Sequence, residues 1–122
     1  MRLDELIAIP EKVEPYSPGG HVRTINRRLI GGDMVPSERV EVILGELAPG
    51  GEALWHSHPD SEQILYILEG SCRVQALQEE RILDPGMAIR FPEGLEHRVV
   101  VTSESPLRCL VIYSPPILEP KK

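Results

Sequence analysis

Short runs of alternating apolar and polar residues, each closed by glycine or proline, make up most of the chain. "HVRTINRRLI" (21–30) is a first strand candidate, stopped by "GGD". "SERVEVILGEL" (37–47) follows, with Val40, Val42 and Leu44 on one face, and "PGG" ends it. "EALWHSH" (52–58) then leads into "PDSE" (59–62), where Pro59 and Asp60 suit a tight turn. "QILYILEG" (63–70) is a strand, and "SCRVQAL" (71–77) continues beyond Gly70. "DPG" and "PEGLE" read as turns around the strand "MAIRF", and "HRVVVTS" and "LRCLVIYS" close the set. No long segment carries the 3.6-residue period of a helix. A helical turn is confined to the first dozen residues. The closing "SPPILEPKK" (114–122) is an extended tail, because its prolines exclude a helix and a central strand. Roughly eight short strands predict an all-β fold, a small closed or nearly closed barrel whose closure removes exposed strand edges.

Composition narrows the function classes. The 122 residues suit one domain, 1–122, with a single core. The formal net charge is −6 and no run of Lys or Arg breaks it, which argues against nucleic acid and anionic membranes as partners. Asp4, Glu5 and Glu11 interrupt the apolar residues of the N-terminus, so the stretch of a leader or membrane helix is missing and a cytoplasmic location is expected. Cys72 and Cys109 sit far apart among apolar residues and read as reduced core thiols.

The four histidines are unevenly placed. His56 and His58 form an HxH pair, which the two-residue period of a strand turns to one side. His97 follows the turn Pro92-x-Gly94, which sets a third imidazole at a strand start. After the "PDSE" turn come two oxygen donors, Glu62 and Gln63, of which strand parity lets only one face the histidines. Three imidazoles and one oxygen suit a divalent ion of Fe, Mn, Ni, Co or Zn. An HxH pair alone is as compatible with a surface or a core. The weight comes from the order of all the elements.

That order resembles the cupin family of small β-barrels. The first cupin motif runs Gly, five residues, HxH, three or four residues, an acidic residue, six residues, Gly. Here it spans Gly50 to Gly70 around His56-Ser57-His58. The second runs Gly, five residues, Pro-x-Gly, two residues, His, three residues, Asn. Here it spans Gly86, Pro92, Gly94, His97 and Val101, with Val101 in place of the final Asn. Fifteen residues separate Gly70 from Gly86, as in small bacterial cupins. The resemblance implies a single-domain double-stranded β-helix, or jelly-roll barrel. It also implies one divalent transition metal ion on His56, His58, His97 and an oxygen ligand.

Counting back six residues from Gly70 puts Gln63 where the usual glutamate stands, and a subset of small cupins reading "HSHPxxEQ" uses this Gln as ligand. Gln63, Leu65 and Ile67 then face the interior, and Glu62 is left at the turn unless a bulge reverses the register. The opposite face of the strand, Ile64, Tyr66 and Leu68, is also apolar and needs cover. A second copy of the chain is the expected cover, giving a homodimer, and the alternative is the N-terminal segment. Arg90 is expected on the outer face, Trp55 and Tyr66 in interface or core, and His21 as an exposed histidine at a strand start. Arg27 and Arg28 either line the barrel mouth or are solvated. No residue is assigned as catalytic.

The implied activity is that of a metal-dependent enzyme on a small oxygen-rich or carboxylated molecule, by isomerisation, ring opening, decarboxylation or dioxygenation. Small cupins with Gln at this position include ones acting on unsaturated uronate sugars, which favours isomerase-like chemistry. The competing class is a non-catalytic metal- or ligand-binding module. An acid or base within reach of the metal separates the two, because an interior of aliphatic residues alone suits a binder.

Overall fold

The computed structural model describes residues 1–117. Two 3₁₀ turns, Leu3–Leu6 and Pro10–Lys12, take up the predicted helical region. The strands that follow are β1 (His21–Ile30), β2 (Glu41–His56), β3 (Glu62–Glu69), β4 (Cys72–Ala76), β5 (Glu79–Leu83), β6 (Ala88–Phe91), β7 (His97–Val101) and β8 (Leu107–Ser114). They form one antiparallel sheet in the order β5-β4-β7-β2-β8-β3-β6, with β1 also paired to β2. The sheet curls into a nearly closed barrel, the cupin type of double-stranded β-helix. Of the predicted tail, residues 118–122 lie outside the described residues.

The "PGG" segment does not end a strand. β2 runs through it for 16 residues, pairing with β8 over Glu41–Leu47 and with β7 from Glu52 to His56. The glycines bend the strand instead of breaking it. Gly50 lies at φ +79°, and a Cβ on Gly51 would meet the Ala48 carbonyl oxygen at 2.8 Å and that of Val22 at 3.0 Å. Across the ladder Arg23 takes φ 53°, and the β1–β2 register shifts between Val22 and Thr24. This is a bulge that carries one strand from one half of the barrel to the other.

β5 has no counterpart in the apolar pattern, because its first four residues are exposed and only Leu83 is buried. The turn before it, Leu77-Gln78, has positive φ at both residues, 53° and 60°, the twist of a two-residue hairpin. Neither glycine nor asparagine marks it.

The core lies between the two halves of the sheet. Ile67, Cys72 and Leu107 are fully buried, with Leu65, Phe91 and Cys109 beside them. Each large aliphatic side chain there contributes about 1.5–3 kcal/mol. On β3 the inward residues are Gln63, Leu65 and Ile67, as parity and Gly70 predict. A Cβ on Gly70 would lie 2.6 Å from the Pro106 carbonyl oxygen, so the strand end is fixed by glycine. Both cysteines are free and buried. Burial pushes each thiol up to about 12, with Asp84 adding to it at Cys72 and Cys72 adding to it at Cys109.

Arg28 is not solvated. It is 6% exposed, and its Nε donates to Glu41 Oε2 at 2.5 Å, with Glu41 fully buried. The guanidinium lies over the Tyr16 ring at 4.7 Å and donates to the Tyr16 hydroxyl at 3.3 Å. Glu41 Oε1 accepts from the Ile117 N–H at 3.0 Å.

Candidate metal centre

β2 ends on His56, and the Cα partner of His56 in the ladder is His97, the first residue of β7. His58 lies two residues beyond His56. The rings of His56 and His58 are 4.9 Å apart, those of His56 and His97 4.3 Å, and those of His58 and His97 6.1 Å. One nitrogen of each lies within 4.8 Å of the others. The HxH parity and the turn before His97 therefore bring all three predicted histidines together.

Each ring is held by its surroundings. His97 stacks on Phe91 at 3.8 Å with the planes only 7° apart. His58 meets Tyr113 edge-on at 4.8 Å. His56 Nδ1 bonds the Leu54 carbonyl at 2.6 Å, and His97 Nδ1 bonds that of Leu95 at 2.9 Å. A carbonyl oxygen only accepts, so Nδ1 carries the proton in both rings and Nε2 keeps its lone pair. Burial is the main cause that lowers His58 and His97 to about 4; neighbouring imidazoles add to it, and the Leu95 carbonyl opposes it at His97. Both rings are thus neutral at neutral pH, as ligation requires.

Gln63 and Glu62 part as parity demands. Gln63 is 6% exposed and lines an interior chamber of about 40 Å³ with His56, His97 and Tyr113. Glu62 points outside, where its carboxylate accepts from Arg90 Nε at 2.8 Å. Arg90 is accordingly on the outer face, as expected. Among the described residues, Gln63 Oε1, His58 Nε2 and His97 Nε2 are buried without a hydrogen-bond partner. Such orphans are rare in native cores. Three imidazole nitrogens and an amide oxygen match the donor set of a divalent first-row ion, and the residues present fit that group.

One histidine is closer to the centre than the sequence suggested. His21 opens β1, opposite Ala53, and its ring lies 5.9 Å from that of His56. Burial lowers it to about 4, with His56 and His58 adding to the effect. It borders both the interior chamber and an outer cavity of about 250 Å³ lined by Tyr16, His56, His58 and Tyr113. Only the β1–β2 pairing across the bulge reveals this, and no local spacing encodes it.

The cupin domain family matches the chain over residues 43–113. The tetracenomycin polyketide synthase protein TcmJ of Streptomyces glaucescens is 37% identical over 70 residues, which cover 57% of this chain and 47% of that protein. The chain spans less than half the length of the curated relatives it matches. Among solved structures, TT1209 from Thermus thermophilus is 32% identical with a TM-score of 0.69, over 90% of this chain and 97% of that one. The polyketide cyclase RemF from Streptomyces resistomycificus is 26% identical with a TM-score of 0.74, over 88% and 78%. The barrel, the two ordered histidine motifs and the match across most of the strands agree: this chain belongs to the cupin family.

Proposed function

We propose that the protein is a metal-dependent enzyme acting on a small oxygen-rich or carboxylated substrate, with proton-transfer chemistry of the isomerase, ring-opening or decarboxylase kind. One observation carries the reading: three buried ligand atoms, on His58, His97 and Gln63, have no hydrogen-bond partner among the described residues, and the two histidines belong to one cluster with His56. Each unpaired buried polar atom costs roughly 1–3 kcal/mol, so a purely structural core has no use for three together. A bound divalent ion of Fe, Mn, Ni, Co or Zn supplies Lewis acidity toward a carbonyl or enolate oxygen. The chain's own contribution is electrostatic. Imidazole and amide ligands carry no negative charge, so His56, His58, His97 and Gln63 leave the charge of such an ion uncompensated, which favours an anionic oxygen ligand. Glu62, turned outward to Arg90, does not offset it. The outer cavity of about 250 Å³ suits a small molecule. Likeness to a polyketide cyclase supports an oxygen-rich one.

His21 favours an enzyme over a passive binder, because it sets a base beside the cluster. The second reading, a non-catalytic binding module, draws on the largely apolar remainder of the chamber wall, which includes Leu47, Ala53, Leu65, Val99 and Leu107. Metal analysis of protein purified without added metal should give about one divalent ion per chain, and full occupancy after replacing His56, His58 and His97 together with Ala would sink the metal centre. Turnover of small hydroxy-carbonyl acids without oxygen uptake supports the enzyme; oxygen uptake would instead indicate a dioxygenase.

We also propose that two copies pair through the outer face of β3, β8 and β2. Ile64, Ile112 and Val42 form one cross-strand row there, and Tyr66, Leu110 and Leu44 the next. Tyr66 and Leu68 are 37% and 36% exposed, so the N-terminal segment does not cover them. A continuous apolar sheet face of this kind is what a dimer buries. Light scattering at micromolar concentration should report a dimer, and a monomer would reject the pairing.

A further inference from the structure

The site gives the metal ligands no carboxylate, so the polar groups that border it decide what else a ligand must offer. Tyr113, its ring 4.8 Å from that of His58, is one, and His21 is the one that carries an imidazole. The Leu54 N–H donates to the Gly20 carbonyl at 2.9 Å, which ties the start of β1 to the HxH segment. His21 then stands 5.9 Å ring to ring from His56, as near as His58 and His97 are to each other at 6.1 Å. It borders both cavities at the centre.

Its hydrogen bonding fixes what it can do. Thr24 Oγ1 donates its single proton to the Val22 carbonyl at 3.2 Å. The same oxygen lies 3.4 Å from His21 Nδ1. With its proton already committed, Oγ1 can only accept, so Nδ1 carries the hydrogen and Nε2 the lone pair. His21 therefore presents an acceptor. We infer that His21 Nε2 accepts a hydrogen bond from a hydroxyl of the ligand held at this centre, and that the substrate class is accordingly a hydroxy acid or enol, carrying an O–H beside its metal-binding oxygen. The inference rests on the metal-dependent reading above and narrows it from oxygen-rich molecules to protic ones.

The test uses cobalt(II)-loaded protein and two probes, glycolate and methoxyacetate, which differ in the hydroxyl proton. Binding is read from the visible spectrum of the cobalt. His21→Ala should reduce the glycolate-to-methoxyacetate preference about fivefold, the worth of one ordinary hydrogen bond. Methoxyacetate affinity and cobalt content should stay near wild type. Thr24→Val, which removes the group that fixes the tautomer, should reduce the preference about twofold and serves if His21→Ala folds poorly. An unchanged preference in both variants, or equal weakening of both acids, overturns the role of His21 while leaving the metal centre standing. Failure of the wild-type protein to bind cobalt overturns the metal reading, and the inference with it.

Discussion

The Arg28–Glu41 cluster and the histidine cluster are both buried in this small barrel, and they are built on opposite terms. The Arg28–Glu41 cluster is closed: the guanidinium meets a carboxylate and a tyrosine, and the second carboxylate oxygen takes the Ile117 N–H. The histidine cluster is open, because Nε2 of His58 and His97 and Oε1 of Gln63 find no hydrogen-bond partner among the described residues. Both are desolvated, so both carry the cost of burial. The first offsets it internally and holds the fold. The second leaves it uncompensated until a ligand arrives. Burial of polar groups therefore does not by itself mark a functional site; unsatisfied ligand atoms gathered at a histidine cluster are the stronger sign.

The largest effect expected is on the closed cluster. Glu41→Ala removes the carboxylate from beside a buried guanidinium and should cost about 3–5 kcal/mol in urea unfolding. Among the molecules that remain folded, metal content should not change; if it falls in step with stability, the two clusters are one unit. The open cluster should respond in the other direction, to added ion. Zinc or cobalt at a hundredfold its dissociation constant should stabilise the wild type by about 2.7 kcal/mol. His58→Ala should abolish that gain while leaving stability in chelator near wild type.

Acid offers a finer separation. His21, His58 and His97 are lowered from 6.5 to about 4 in the fold. Between these values the unfolded chain binds more protons than the folded one, so stability falls as pH falls. In chelator the contribution should be complete above about 6.5, and lost as the pH drops through about 4. The slope of unfolding midpoint against pH should be shallower in His58→Ala; an identical slope would mean these rings are not neutral by burial. The smallest effect belongs to Glu62→Gln. Its partnership with Arg90 is exposed and worth below about 1 kcal/mol, and metal content should hold. An emptied site in this variant, with metal retained in Gln63→Ala, would reverse the register of β3.

What could be read from the sequence was what short-range geometry controls. The HxH spacing marked both rings for one side, although β2 ends on His56 and His58 lies just beyond it, and Gln63 faces inward because Gly70 fixes the end of its strand. The turn at Pro92 and Gly94 delivers His97 to a strand start for the same local reason. What stayed hidden depends on partners distant in sequence. His21 becomes a neighbour of His56 only through a bulged pairing of β1 with β2, and Arg28 finds Glu41 across that same pair of strands. The bend at Gly50 and Gly51 resembles a stop in the sequence, since glycine pairs mark turns more often than bulges. β5 was invisible because neither its exposed charged residues nor its Leu77-Gln78 turn carries the usual marks.

The continuity of β2 shapes how the molecule must be made. Its first half pairs with β8, Glu41 opposite Tyr113, and its second half with β7. On the ribosome, β2 emerges long before either partner. β1, made just before it, can pair one edge of β2, but the other edge, with Val42, Ile43 and Leu44 in a row, stays open, so the barrel closes only after β8 has been synthesised. Pro49 and the glycine pair interrupt that edge midway, and Glu46 and Glu52 flank the bend with charge. The bend that joins the two halves of the finished barrel also keeps the waiting strand from being a long, flat template for its neighbours on the polysome.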